Sequence, residues 1–337
     1  MIKDNLFFLP NIKNIIIFGY SDQIDEINKI NNKFNIKTNL IISSEQSKNK
    51  KIKINYKIFD YFDKRLKDFI KKNFDINSTL FISLGCRYIF NKDDIKYFFN
   101  QNLINFHGSR LPLDSGGGHW SWKILRGEKI DNQLVHLISE KIDNGPIIDF
   151  ESSIFPHRCK IPLDYDNYAK NKFLNFYEKF IKNLCNKKKF NLKFQPDYLG
   201  AYYPRLNTDL NGWINWNLKS YQIERFINAF DDPYSGSLTY IRNKKVRLKK
   251  TYLSSSDVNN HPFMSGLILR HDKNWIVVGS NDQNVFLIKE VLDEKGLNIL
   301  SKLKVGDRFY TPIKKLDDSK KYRVYYKSNK LVKKKIF

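Results

Sequence analysis

The sequence predicts an α/β chain in which a doubly wound, mostly parallel sheet is followed by a smaller β domain. Between residues 14 and 185, short apolar runs alternate with segments of helical periodicity, the order that builds a sheet covered by helices on both faces. Beyond residue 207, short strand-like runs separated by polar turns take over. A length of 337 residues with 41% hydrophobic content supports a real core and two domains, and excludes a disordered chain.

Taken in order, the run Asn14 to Tyr20 ends in Gly19 and reads as a first strand, with a helix at Asp22 to Asn32 and a second strand at Thr38 to Ile42. Gly19 stands alone, without the GxGxxG pattern of a dinucleotide site, so it marks a tight strand-to-helix turn. A basic helix follows at Phe62 to Phe74, a strand at Thr79 to Leu84, a helix near Lys92 to Asn100 and a strand at Leu103 to Phe106. Strands at Gln133 to Ile138 and Ile147 to Phe150 precede an amphipathic helix at Asp164 to Cys185. Periodicity breaks between Gln195 and Asn207. A helix at Ser220 to Phe230 then opens a series of strands at Val246 to Tyr252, Gly266 to Leu269, Trp275 to Val278 and Val285 to Val291. The expected division is 1–200, 207–315 and a basic tail at 316–337.

The net charge of +24 is compatible with a polyanionic partner, but lysine, asparagine and isoleucine are enriched throughout, which favours a solvated lysine surface over a nucleic-acid footprint. Cys86, Cys159 and Cys185 show neither CxxC spacing nor even pairing, so neither a disulfide framework nor a cysteine-based zinc site is expected. No run approaches the roughly 18 apolar residues of a membrane span, and the amino terminus lacks a signal-peptide core. The expectation is a cytoplasmic protein with no metal and no membrane partner.

The stretch Ile104-Asn105-Phe106-His107-Gly108-Ser109-Arg110-Leu111-Pro112, with Asp143 placed 36 residues after His107, carries the chemistry. When a neutral amine attacks a formyl carbon, negative charge grows on the carbonyl oxygen and positive charge on the nitrogen. A catalyst therefore needs a donor and a proton acceptor. Asn105 can donate, and His107 can donate or accept. Their spacing of two puts both on one face of a strand, at the carboxyl end where open α/β sheets hold ligands. Asp143, on the turn Asp-Asn-Gly-Pro, could fix the tautomer of His107 and take up the amine's proton. Residue by residue, the alternative is turn caps and a satisfied histidine. His136, between Val135 and Leu137, reads as such a core histidine.

Asn-x-His-x-Ser-x-Leu-Pro followed by Asp-x-Gly-Pro resembles the formyltransferase superfamily that uses N10-formyltetrahydrofolate, a family that includes methionyl-tRNA, glycinamide ribonucleotide and sugar N-formyltransferases. The resemblance implies a Rossmann-like catalytic core with Asn105, His107 and Asp143 as its triad. It also implies a folate contacted by Ser83, Gly85, Arg87, Tyr88, Phe90, Glu140 and Ile142. Gly85 would allow close approach, and Phe90 and Ile142 would cover a ring, whereas Cys86, Ile89 and Phe90 also read as ordinary core. Ser109, Arg110, Gly117, His119 and Trp120 become the acceptor-contacting candidates, although Trp122 also reads as a helix anchor. Many members carry Arg-Gly shortly after Leu-Pro, where this chain has Asp114-Ser115-Gly116-Gly117-Gly118-His119-Trp120.

Further along, Ile-x-Trp, a helix ending Ala-Phe and Pro-x-x-Gly are similar to the linker and OB-like carboxyl domain of methionyl-tRNA and some sugar formyltransferases. Two acceptors follow. The OB-like domain, the charge and the lysine-rich tail favour methionyl-tRNA. The short segment Ser43 to Tyr56, in place of a long basic insertion, and the triple glycine favour a nucleotide-linked amino sugar, as in lipopolysaccharide biosynthesis. The alternatives outside that class are a non-catalytic nucleic-acid-binding module, whose affinity falls steeply with salt, and a hydrolase in which water replaces the amine.

Overall fold

The computed structural model describes residues 5–48, 51–117, 119–256, 259–327 and 330–336. Seven strands form the main sheet: β1 (Asn14–Phe18), β2 (Lys37–Ile42), β3 (Tyr56–Ile58), β4 (Thr79–Ser83), β5 (Leu103–His107), β6 (Ile130–Leu137) and β7 (Ile147–Ile154). Their spatial order is β3-β2-β1-β4-β5-β6-β7, parallel through β5 and antiparallel at β6 and β7. Ile15 to Phe18 read as an unbroken apolar run because β1 lies in the middle of the sheet, buried on both faces.

Helices α1 (Ile24–Lys33), α2 (Lys64–Asn73), α3 (His119–Arg126) and α4 (Pro162–Cys185) accompany the sheet. α1 and α4 cover one face through Ile24, Ile27, Phe176 and Phe180, while α2 covers the other through Leu66 and Ile70. The Asp63 carboxylate starts α2 by accepting the Leu66 N–H. Between α1 and α4 the Tyr177 hydroxyl donates to Asn31 Oδ1 at 2.9 Å, and Asn31 Nδ2 donates to Thr38 Oγ1 at 3.0 Å. The helix expected near Lys92 to Asn100 forms over residues 92–98, widened over Asp94–Phe98. Asn91 caps it, and Asn100 and Gln101 at positive φ stop it from continuing.

At the carboxyl ends of β1 and β4 the chain crosses itself. A Cβ on Gly85 would lie 2.3 Å from Tyr20 O. The close approach expected of Gly85 toward a ligand is therefore made with the backbone after β1.

The second apolar core is built from Ile214 to Phe309. Strands β8 (Ser237–Ile241), β9 (Lys244–Ser255), β10 (Ile268–His271), β11 (Ile276–Gly279), β12 (Asn284–Leu292) and β13 (Phe309–Tyr310) form an antiparallel sheet in the order β10-β11-β12-β9-β8-β13. Bonds from Ile268 N to Asp307 O and from Phe309 N to Gly266 O join its two edges into a small barrel. α5 (Ser220–Ala229) buries Ile223 and Ile227 against it. The two parts meet through α3 and α5, where the Ser121 hydroxyl donates to Ala229 O at 2.7 Å.

The described residues of the segment expected as a basic tail are folded. α6 (Ile313–Lys321) runs through residue 316, and β14 (Tyr322–Lys327) pairs with β15 (Lys330–Lys335). The Asn211 amide holds this segment through the carbonyls of Ser319 and Tyr322, and Val324 is buried.

Candidate active site

β5 carries Phe106 into the core against Phe173 and Tyr177, so its neighbours Asn105 and His107 share the opposite face. Asn105 stands opposite His136 in the β5–β6 register, and its Nδ2 lies 3.1 Å from His136 Nε2. His136 Nδ1 is 2.8 Å from the Leu137 carbonyl, which can only accept. Nδ1 therefore carries the proton, and Nε2 accepts from Asn105. Burial, reinforced by the neighbouring His107, pushes the His136 imidazole down to about 4, so it is neutral near pH 7. The expectation of a satisfied core histidine describes its bonding but misses its place: it fixes the orientation of the Asn105 amide.

His107 is 7% exposed. Its Nε2 faces the Asp114 carbonyl at 3.3 Å, and its Nδ1 faces Asp143 Oδ1 at 3.9 Å. Asp143 Oδ1 is also 3.9 Å from His136 Nε2, while Oδ2 accepts the Gly116 N–H at 3.0 Å. The carboxylate thus lies between two imidazoles at ion-pair distance, longer than a hydrogen bond, and its direct bond is to Gly116. The tautomer-fixing contact expected from Asp143 is supplied instead by the Asp114 carbonyl. Asp114 is held by Arg126, whose Nη2 donates to Oδ1 at 2.6 Å, and by the buried Lys123 ammonium 3.8 Å from Oδ2. Burial lowers the Lys123 pKa and raises that of Asp131 beside it.

A cleft of about 290 Å³ opens beside Asn105, His136 and Asp143. Ser83, Gly85, Tyr88, Phe90, Glu140 and Ile142 line it, six of the seven expected folate contacts. Arg87 is absent from the lining and pairs with Glu45. Phe90 belongs to the core as well, packed on Phe18 and Phe62, and burial pushes the Cys86 thiol up to about 12. Ile89 is not core: it is 92% exposed, and Ile142 is 71% exposed, both at the cleft. Lys92 and Glu140 pair at 3.3 Å beside it.

On the other side of His107, a second cleft of about 220 Å³ is lined by Gly108, Trp120, Gln23, Asp166 and Lys170. The buried Gln23 Nε2 there has no hydrogen-bond partner. Trp120 rests on Phe155 and Tyr165. Ser109, Arg110 and Gly117 are not brought to this cleft. Arg110 reaches Glu128 at 3.7 Å, Gly117 packs against Arg205, and Ser109 lines a crevice of only about 10 Å³ beneath Gly116. Gly118 and the His119 side chain lie outside the described residues. Trp122 is an anchor, its indole N–H donating to Pro204 O at 2.8 Å.

The family described as "Formyl transferase, C-terminal domain" matches residues 208–301. The chain is 26% identical over 220 residues to the bifunctional polymyxin resistance protein ArnA of Wigglesworthia glossinidia brevipalpis, covering 61% of this chain and 31% of that protein. It is 27% identical over 239 residues to the methionyl-tRNA formyltransferase of Blochmanniella pennsylvanica, covering 68% of this chain and 66% of the relative. The chain thus spans less than two thirds of the length of these relatives. Among solved structures, the N-formyltransferase from Helicobacter canadensis, in complex with folinic acid and dTDP-3-aminofucose, shares the fold over 82% of this chain and 99% of its own, with a TM-score of 0.59 and 19% identity. The chain is thus similar to formyltransferases through its matched carboxyl domain and these relatives, and it shares the fold of the Helicobacter canadensis protein.

Proposed function

We propose that this protein transfers a formyl group from N10-formyltetrahydrofolate to a primary amine, with residues 1–200 as the catalytic domain and 207–315 as an OB-like accessory domain. The observation that carries the reading is that Asn105 and Asp143 line a cleft where Ile89 and Ile142 are exposed, while His107 Nδ1 lies 3.9 Å from Asp143 Oδ1 and His107 lines the second cleft. Exposed apolar side chains at a concave site fit a flat heteroaromatic ring. The folate supplies the activated formyl carbon. Asn105 Nδ2 has two hydrogens, and with one committed to His136 the other can donate to an oxygen in the cleft. His107, with Nε2–H turned to Asp114 O, presents Nδ1 on the side of Asp143, so a proton arriving there forms an imidazolium that the carboxylate stabilises.

The amine is assigned to a nucleotide-linked amino sugar. Supporting this are the short segment 43–56, the second cleft with its aromatic Trp120 and unpartnered Gln23 Nε2, and the dTDP-3-aminofucose bound by the Helicobacter canadensis protein. Methionyl-tRNA is the second reading, favoured by the similarity to the Blochmanniella pennsylvanica protein. Tetrahydrofolate release is measured with N10-formyltetrahydrofolate and either dTDP-linked amino sugars or charged initiator methionyl-tRNA. Turnover with a sugar is the expected result. Turnover with tRNA alone overturns the sugar assignment, and formate release without any amine marks a hydrolase.

A further inference from the structure

The segment joining the two apolar cores touches both loops that flank the triad. Near its start, Gln195 Nε2 donates to the backbone carbonyls of Asp143 at 2.9 Å and Gly145 at 2.6 Å. Further on, Tyr202 and Tyr203 pair in parallel with Ser115 and Gly116, with Ser115 N–H donating to Ala201 O and Gly117 N–H to Tyr203 O, each at 3.0 Å. α3 clamps this strand from outside. Arg126 Nη1 donates to the Tyr203 hydroxyl at 2.7 Å, its guanidinium lies 4.5 Å from the centre of that ring, and Trp122 holds Pro204 O. Gly116, held in this way, is the residue whose N–H bonds Asp143 Oδ2.

Asp143 needs such support. It sits at φ +54, where a non-glycine residue is disfavoured, and its free carboxylate oxygen is equally far from two imidazoles. A small rotation would favour one imidazole over the other. The restraint comes from both ends: Gln195 holds the backbone of the Asp143 turn, and Gly116 holds the carboxylate.

We propose that residues 195–205 act as a positioning brace for Asp143, with Gln195, Tyr203 and Trp122 as positioning residues. The proposal rests on the formyl-transfer reading above. None of the three side chains touches the reacting groups; each acts through Asp143 or Gly116.

The test compares the full-length parent with Gln195→Glu, which keeps the size but removes the amide donor, and with the double variant Trp122→Phe/Tyr203→Phe. Hydrogen exchange is read over 111–117 and 139–147. kcat, KM for N10-formyltetrahydrofolate and the pH profile are measured with the acceptor that the parent uses. Faster exchange in both loops is expected, with kcat down about ten-fold, KM within about two-fold and a displaced acidic limb of the pH profile. Unchanged exchange overturns the brace. So does faster exchange with parental kcat and pH profile. A parent without turnover, or a His107→Ala variant as active as the parent, defeats the formyl-transfer reading instead, and the exchange data then decide the brace alone. Gln195→Glu, a single change on the other loop, keeps the test if the double variant does not fold.

Discussion

Gly116 donates its backbone N–H to Asp143 Oδ2 at 3.0 Å, joining a glycine loop and an aspartate turn that lie far apart in sequence. Gly116 sits at φ +96, and a Cβ there would lie 2.6 Å from Tyr203 O and 2.7 Å from the Tyr202 ring. Gly116→Ala therefore displaces the amide from the carboxylate. The expected outcome is a loss of about 1–3 kcal/mol in denaturant unfolding together with a fall in kcat of at least about ten-fold. Parental kcat in a variant with parental stability would contradict the geometry.

His136 links stability to acid. Its imidazole is held near 4 in the folded protein against 6.5 in the unfolded chain, chiefly by burial. Below 6.5 the unfolded state binds the proton more readily. The stabilisation is therefore fully present above pH 6.5 and is lost as pH falls toward 4, on the order of 3 kcal/mol across that window. Urea unfolding of His136→Gln between pH 4 and 7 should show a flatter dependence than the parent. Equal slopes would mean that another group carries the acid sensitivity.

Leaving the Asn105 amide without its acceptor should also cost activity. In His136→Leu the amide loses the bond that orients it. kcat should fall further than in His136→Gln, whose side-chain oxygen can take the place of Nε2. Equal kcat in the two variants would show that Asn105 needs no orienting partner.

The Tyr177 hydroxyl ties α4 to Asn31 of α1, and neither residue lines the two clefts. Both are buried, and Tyr177→Phe strands Asn31 Oδ1. A destabilisation of about 1–2 kcal/mol in urea is expected, with unchanged kcat. An unchanged midpoint would show that Asn31 finds another donor.

The parallel core was legible because strands buried on both faces leave continuous apolar runs, as in Asn14–Phe18, and because helix faces repeat in register, as Ile24, Ile27 and Ile30 do. Asn105, His107 and Asp143 were legible as a motif, and their convergence follows from β5 ending beside the 139–146 turn. The role of His136 was hidden. A histidine alternating with Val135 and Leu137 looks like core, and only the β5–β6 register shows that it faces Asn105. The pairing of Ser115–Gly116 with Tyr202–Tyr203 left no pattern either, since two-residue strands so far apart carry no periodicity. The fold of the last residues was masked by their lysines, which outnumber the few buried anchors such as Val324.

The most direct test of the central claim is single-turnover formyl transfer from N10-formyltetrahydrofolate by the parent, His107→Ala and Asp143→Ala, each checked for a parental fold by circular dichroism. The account predicts transfer by the parent and a fall of about 10²–10⁴-fold in each variant. Undiminished transfer in both variants would contradict it.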